Sequence, residues 1–570
     1  MMIKKRIVLF FFLAISFAGN AQMDVNTFKE QFVQNLWKTY PDWASSVGFH
    51  NYDSVLIIPD SMNRVKEMAF LNAQFKLLST VKTKNLSDET DLKLIKNFIT
   101  SSFWNLRKLK SYEWNPASYN LCGTFSYLLH ENYAPRELRL KNIFKKLENV
   151  PAYYDAALAN IKNPTAEHTK LAIDQHRNAI NVFDNEIMDA VTRSGLPGVV
   201  KRTFSARCEA ASKAVKNYIN KLDSLDNPNP RSFRLGKDLY ETKFKNEIFE
   251  HPDTIFQRAL ARKQFLHTEM SKLTDQLWPK YFGNKVHPRS NLRKIKMMID
   301  TLSASHCEAD SFQSTIEKQI PALVKFVNDK KLIGMDPTKP LVVRREPEYM
   351  AGVAGASISS PGPYEKNGNT YYNVGSLSGW SPEDKESYLR EYNDYILQIL
   401  NIHEAIPGHY VQLIYSNRAP SLIKSLFGNN SMIEGWAVYS ELMMLENGYG
   451  DSTAEMWLMY YKWNLRSVCN TILDISIHTK DLKKEDAMNL LTIHAFQQQK
   501  EAEGKWKRAT LSDVQLCSYF SGFSQILELR NKICPACREK PELLRLFHEK
   551  FLSYGSIPVK EIEKLMRSGN

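Results

Sequence analysis

Two imidazoles and a carboxylate fall within seven residues of the chain, in His403-Glu404-Ala405-Ile406-Pro407-Gly408-His409, and a further carboxylate, Glu434, follows after 24 intervening residues. Imidazole nitrogens with a carboxylate oxygen make a zinc donor set, and a catalytic zinc keeps one position for water. An acid beside the first ligand is placed to act as general base on that water. The spacing, however, makes a demand on the backbone. Residues i and i+4 share a helical face, as in H-E-x-x-H, whereas His403 and His409 are six apart. On a straight helix that separation is about 9 Å along the axis and about 120° around it. The pair can share one ion only where the helix breaks. Pro407-Gly408 is the place for a break, because Pro lacks an N–H and clashes with the preceding turn while Gly adopts dihedrals closed to other residues. Glu434 has two readings. It can complete a donor set of His403, His409 and Glu434, with Glu404 as the base. Ser431-Met432-Ile433-Glu434 also has the form of a capping box, in which Glu434 binds the Ser431 N–H.

The elements that must carry these residues are mostly helical. Ser381 suits an N-cap and Pro382 the first helical position, and Glu383 and Asp384 complement the positive helix end. Leu389, Tyr392, Ile396 and Ile399 then form an apolar stripe that His403 continues, which predicts one helix running into the site. Glu441 lies seven residues beyond Glu434 on the same face, where it can orient a ligand histidine. Upstream, Val65–Val81, Pro151–Ile161, Thr165–Thr192, Ser205–Leu222 and Pro252–Leu273 place apolar residues three and four apart, the helical period. Breaks are expected at Leu225–Arg234 and Trp278–Arg289, where Pro and Gly gather. Between Pro340 and Val374 the text turns β-like: Leu341–Arg345, Val353–Ser359 and Thr370–Val374 are short runs between Gly/Pro clusters, as in a small antiparallel sheet or hairpin. An exposed edge there could pair with an extended peptide. The expected fold is therefore mainly α: a large helical body with a short antiparallel β segment beside a deep cleft. An N-terminal helical lobe over 22–235 and a catalytic lobe over 236–570 would together form one continuous domain.

HEAIPGHYVQ from His403, EGWAVYSE from Glu434 and LRSVCNTILDISIH from Leu465 resemble the bacterial domain-of-unknown-function family 885 (DUF885). That family is placed among zincin-like, gluzincin-type metallopeptidases and is mostly helical. The resemblance is specific at HE-x-x-PGH-x-x-Q and EGWA and extends more loosely over about Asp24–Ser568. It implies metal ligands His403, His409 and Glu434, with Glu404 as base, and makes the six-residue histidine spacing a family feature. It also covers Arg466, Asp474 and His478, which with Asn470 run at i, i+4 down one helix. On spacing alone those four form a solvated stripe. A tetrahedral oxyanion needs a donor besides the metal, and His478 oriented by Asp474, or Tyr519, is the candidate. The segment Cys517–Gln525 departs from the family's Pro-Gly-Gln turn, since Gly522 and Gln525 are not adjacent.

Lys4, Lys5 and Arg6, the apolar run Ile7–Phe17 and Ala18-Gly19-Asn20-Ala21 read as a secretory signal peptide cleaved after Ala21. Eleven apolar residues are too few to span a bilayer, which takes about 20, and no cysteine stands at the cleavage point to take a lipid. A periplasmic or secreted protein without stable membrane insertion is expected. Cleavage lowers the formal net charge of +13 to +10, because the segment holds three cations and no acids. The remaining Lys and Arg are spread along the chain with no dense basic run, so no nucleic-acid partner is expected. Of seven cysteines, only Cys534 and Cys537 form a C-x-x-C. With no second pair and no preceding strand, a local disulfide or two free thiols fits better than a zinc knuckle or thioredoxin-like site. The expected activity is hydrolysis of a peptide substrate at a zinc ion. An amidase or esterase acting on cell-envelope material, or a binding protein with a vestigial metal site, would use the same residues. Intact mass of the natively exported protein should give a chain beginning at Gln22; a soluble chain retaining Met1 would refute the cleavage.

Overall fold

The computed structural model describes residues 23–347, 355–365 and 368–569, so the expected signal segment lies outside the described residues. Helices dominate, and their starts are set by side-chain caps. Asp60 accepts from the Asn63 N–H at 2.7 Å and opens Ser61–Leu78, and Thr165 accepts from the His168 N–H at 3.1 Å and opens Ala166–Ala179. Val150–Asn160, Gly198–Asp223 and Pro252–Phe282 fall where the apolar period places them. The last runs through Pro279 and stops at Gly283, with φ +57°, so the break expected from Trp278 begins five residues later. Trp278 is buried and donates to the Lys285 carbonyl at 2.8 Å, which holds that final turn.

Two apolar cores form. One gathers Leu56 and residues between Tyr119 and Leu222. The other joins Phe28–Trp114 to Leu235–Leu565 and surrounds the histidines. The earliest helices therefore belong with the site-bearing core, although the expected lobe boundary lies near 235.

Three strands, β1 (Leu341–Arg345), β2 (Ala356–Ser359) and β3 (Thr370–Val374), form a sheet in the order β1-β3-β2. β2 and β3 make the expected antiparallel pair, but β1 lies parallel to β3. The sheet is mixed and not wholly antiparallel, because β1 and β2 pair on opposite sides of β3 while running in opposite directions. β3 is the buried centre, and its Tyr372 hydroxyl donates to Asn401 Oδ1 at 2.8 Å, tying the sheet to the helix that carries His403. A deep cleft is not delineated by the described residues. What they show is partial exposure of Glu404, Glu434, Arg466, Arg508 and Tyr519. Cys534 and Cys537 are joined in a disulfide. No helix among the described residues is long and apolar enough to cross a membrane.

One close helix crossing is made by two glycines. Helices Asn430–Glu446 and Ser518–Ile533 touch backbone to backbone: a Cβ on Gly435 would lie 2.3 Å from the Gly522 carbonyl carbon, and one on Gly522 would lie 1.6 Å from the Ser431 oxygen. Neither contact can be relieved by a side-chain rotation, so any larger residue must separate the helices. Gly522→Ala should cost about 3 kcal/mol or more as overpacking and lower Tm by several degrees. Gly123→Ala, where a Cβ meets nothing within 4 Å, should leave Tm unchanged. Equal Tm values for the two variants would disprove the close crossing.

Candidate metal centre

The apolar stripe leads to the site as expected, but on two helices. Pro382–Glu391 is capped by Ser381, whose Oγ accepts from Asp384 N–H at 3.1 Å. Asp394–Glu404 starts afresh because Asn393 Oδ1 accepts from the N–H groups of Tyr395 and Ile396, both at 3.2 Å. Asn competes for backbone donors and so favours a cap over a helix interior. The stripe nevertheless stays buried from Leu389 through Ile396 and Ile399 to His403.

After Glu404 the helix ends, and a new one, His409–Ser416, begins. The Gly408 N–H turns back to the Ile402 carbonyl at 2.9 Å. Gly408 is required here by space: a Cβ would stand 1.8 Å from the His403 oxygen and 2.4 Å from that of Ile402. The Trp436 indole donates to the Pro407 carbonyl at 2.9 Å and fixes the turn against the helix bearing Glu434. The break brings the rings of His403 and His409 to 4.8 Å between centroids, nearly perpendicular at 87°.

Glu434 faces both imidazoles. Its Oε2 lies 3.6 Å from His403 Nε2 and 3.4 Å from His409 Nε2. It does not cap the helix; that role falls to Asn429, whose Oδ1 accepts from the Met432 N–H at 3.0 Å. These Nε2–Oε2 separations are long for hydrogen bonds. They match the edge of a tetrahedron of ligands about 2.0–2.2 Å from a zinc ion, which is about 3.3–3.6 Å. The three donor atoms lie within 4.8 Å of one another, so adjustments of about an ångström bring all three to zinc distance. Glu434 Oε2 is buried and makes no hydrogen bond. Two imidazole nitrogens face that oxygen at 3.4 and 3.6 Å without a hydrogen bond, and this donor set and spacing fit a divalent ion between them.

Glu441 takes the other side of His403. Its Oε1 accepts from Nδ1 at 2.7 Å and from the Trp463 indole at 3.0 Å. With an ion bound, a proton kept on Nδ1 by Glu441 would leave Nε2 as the ligand atom, the usual carboxylate–histidine arrangement behind a metal ligand. Burial alone would lower the His403 pKa; the Glu434 and Glu441 carboxylates overcome it and hold it up to about 10. The Glu434 carboxyl is held well below its ordinary range: burial would raise it, and the two imidazoles outweigh that. Burial pushes the Glu404 carboxyl upward, against the pull of His409 and His403.

Tyr519 joins the site. Its ring stacks on His403 at 6.2 Å and 20°, and burial together with Glu434 pushes its hydroxyl up to about 12, so it remains protonated at neutral pH. The Gly435–Gly522 crossing makes this approach possible. Arg508 donates to the Tyr519 Oη at 3.1 Å; neither it nor Trp463 belongs to a recognisable motif, and only spatial proximity reveals them. Arg466 is also near, paired to Glu501 and to the Tyr392 hydroxyl.

His478 is not part of this cluster. It lies twelve residues beyond Arg466, about 18 Å further along the Ala454–Thr479 helix. Its Nδ1 accepts from the Leu235 N–H at 3.4 Å and its Nε2 faces the Ser512 carbonyl at 3.0 Å. Asp474 does not orient it; that carboxylate accepts from Tyr240 Oη and from the N–H groups of Val514 and Leu516. The oxyanion role expected of His478 is thus excluded by position, since both ring nitrogens serve the backbone.

The family model for bacterial proteins of unknown function called DUF885 matches residues 41–566. The chain belongs to that family. A solved structure of a candidate lipoprotein of unknown function from Shewanella oneidensis is 49% identical, with a TM-score of 0.85, covering 95% of this chain and 99% of its own. A candidate lipoprotein from Colwellia psychrerythraea shares the fold at 15% identity and a TM-score of 0.75, covering 96% and 98%. No curated protein matches the chain.

Glu441→Gln keeps the shape at Nδ1 but removes the charge that fixes the ring. Zinc affinity should fall about 10- to 100-fold, measured by competition with a chromophoric chelator. Unchanged affinity would show that Glu441 does not support a ligand.

Proposed function

We propose that the protein is an exported, envelope-associated zinc hydrolase of zincin type that cleaves peptide bonds. The observation that carries this reading is Glu434 Oε2, placed 3.4 and 3.6 Å from two imidazole nitrogens without a hydrogen-bond partner of its own. His403, His409 and Glu434 would hold the ion, with Glu441 behind His403. Bound there, zinc supplies a Lewis acid that polarises a carbonyl and a means of generating a nucleophile from water near neutral pH.

The remaining chemistry belongs to side chains of the chain itself. Glu404 follows His403 directly and is partly exposed. It receives the proton of the attacking water and returns it to the leaving amine, as a general base and then acid. Burial raises its pKa toward that task. Tyr519, protonated and stacked on His403, takes the oxyanion-donor role. Export rests on the Lys4–Ala21 pattern and on the description of the two solved relatives as candidate lipoproteins.

Glu404→Gln removes the base and leaves the three proposed ligands in place. The variant should bind zinc stoichiometrically by elemental analysis and lose at least about 10²-fold in kcat on a peptide mixture read by mass spectrometry. Peptide cleavage near the wild-type rate would eliminate Glu404 as base.

A further inference from the structure

The other cationic side chains named around the metal cluster each face a carboxylate, and Arg508 does not. Lys462 meets Glu391 at 2.8 Å, Arg466 meets Glu501 at 2.5 Å, and Lys505 lies 3.6 Å from the same Glu501. His403 is matched by Glu441. Arg508 has no carboxylate partner among the described residues. Only its Nη2 is engaged, to Gln515 Oε1 at 2.8 Å and to Tyr519 Oη at 3.1 Å. Its other nitrogens donate to no described side chain or carbonyl, although the guanidinium carries five N–H donors. The side chain is only partly exposed, and its unbonded nitrogens are not among the buried atoms, so an incoming group can meet them.

A part-buried guanidinium without a counter-ion is costly unless an anion meets it in the working state. Its fork geometry favours a carboxylate, which it binds in bidentate fashion. Position narrows the choice further. Arg508 reaches the metal cluster through one residue, since its partner Tyr519 stacks on His403. Consecutive residues of a peptide lie about 3.8 Å apart, so a carboxylate one or two residues beyond the cleaved bond falls about 4–8 Å from it. Arg508 Cζ lies 6.0 Å from the centre of the Tyr519 ring, which lies 6.2 Å from that of His403, so the guanidinium stands one aromatic ring away from the imidazole.

We infer that Arg508, steadied by Tyr519 and Gln515, is the subsite for the free α-carboxylate of the substrate. The enzyme would then remove one or two residues from the C-terminus of a peptide and would discriminate against internal bonds. This inference rests on the peptidase reading for its catalytic consequence, while the carboxylate subsite can be tested separately.

Two measurements separate them. First, paired short peptides ending in a free acid or in the corresponding amide are compared by kcat/KM for wild type and Arg508→Met. Wild type should favour the acid on the order of 10²-fold, the scale for truncating one partner of a close charge pair, and the ratio should collapse toward one in Arg508→Met. Second, N-acetyl-dialanine and its amide are titrated calorimetrically into zinc-loaded Glu404→Gln, with and without Arg508→Met. The acid should bind and the amide should not, and Arg508→Met should abolish the difference. Near-equal cleavage of acids and amides by wild type overturns the subsite while leaving the peptidase reading intact. Arg508-dependent binding of the acid without hydrolysis of any peptide supports the subsite and overturns the peptidase reading. Acid and amide binding alike, or neither binding, overturns the subsite. Circular dichroism and Tm of Arg508→Met guard against misfolding, and Arg508→Lys should restore part of the acid preference, which a purely structural residue would not do.

Discussion

His409 lies six positions beyond His403, and a straight helix would carry the second imidazole about 9 Å past the first and a third of a turn away. The site depends on cancelling that displacement within four residues. Ala405 to Gly408 reverse the chain tightly enough that the Gly408 N–H bonds the Ile402 carbonyl, and no side chain fits at that point. The turn is held from outside. One helix, Asn430–Glu446, presents Glu434 to both imidazoles, Trp436 to the Pro407 carbonyl and Glu441 to His403 Nδ1. A single element thus holds the turn, brings Glu434 to the two imidazoles and backs His403 with a carboxylate, and displacing it disturbs all three together.

The same helix explains how a residue far along the chain enters the site. Gly435 sits one position after Glu434, and its contact with Gly522 lets the Ser518–Ile533 helix approach to backbone distance. Tyr519, near the start of that helix, then lies flat against His403. Small residues at a crossing let helices pack closer than ordinary ridges and grooves allow. Here the closeness has a chemical result.

Much of the side-chain cluster was legible in the sequence, because residue type and spacing carry it. The histidines, Glu434, Glu404 and Glu441 sit within about forty residues, and the impossible geometry of a straight helix pointed to Pro407-Gly408 as the turn. The apolar stripe to His403 was legible too, though Asn393 divides it into two helices, since side-chain capping is a local competition that periodicity does not register. The strand runs of the sheet were visible while the parallel placement of β1 was not, for pairing direction depends on tertiary order. Arg508 stayed hidden for a plainer reason. A lone arginine on the amphipathic Gln499–Leu511 helix looks like a solvated face, and only its lack of an ion pair among the described residues, beside Tyr519, marks it out.

His478 and Asp474 show how a motif can serve a site it does not touch. Both lie on the buried Ala454–Thr479 helix and spend their polar atoms on the segment between Arg508 and Tyr519: His478 on the Ser512 carbonyl, Asp474 on the N–H groups of Val514 and Leu516. Val514 adopts φ +66°, a region that a β-branched residue enters only under constraint. A buried carboxylate accepting its N–H and that of Leu516 supplies such a constraint, and charge-assisted bonds of this kind are strong in a low-dielectric interior. The strained turn sets the angle at which the Arg508 helix meets the Tyr519 helix. Asp474 and His478 therefore act by fixing the distance between a guanidinium and the ring against His403, which gives these polar residues a structural reason to be buried far from the proposed chemistry.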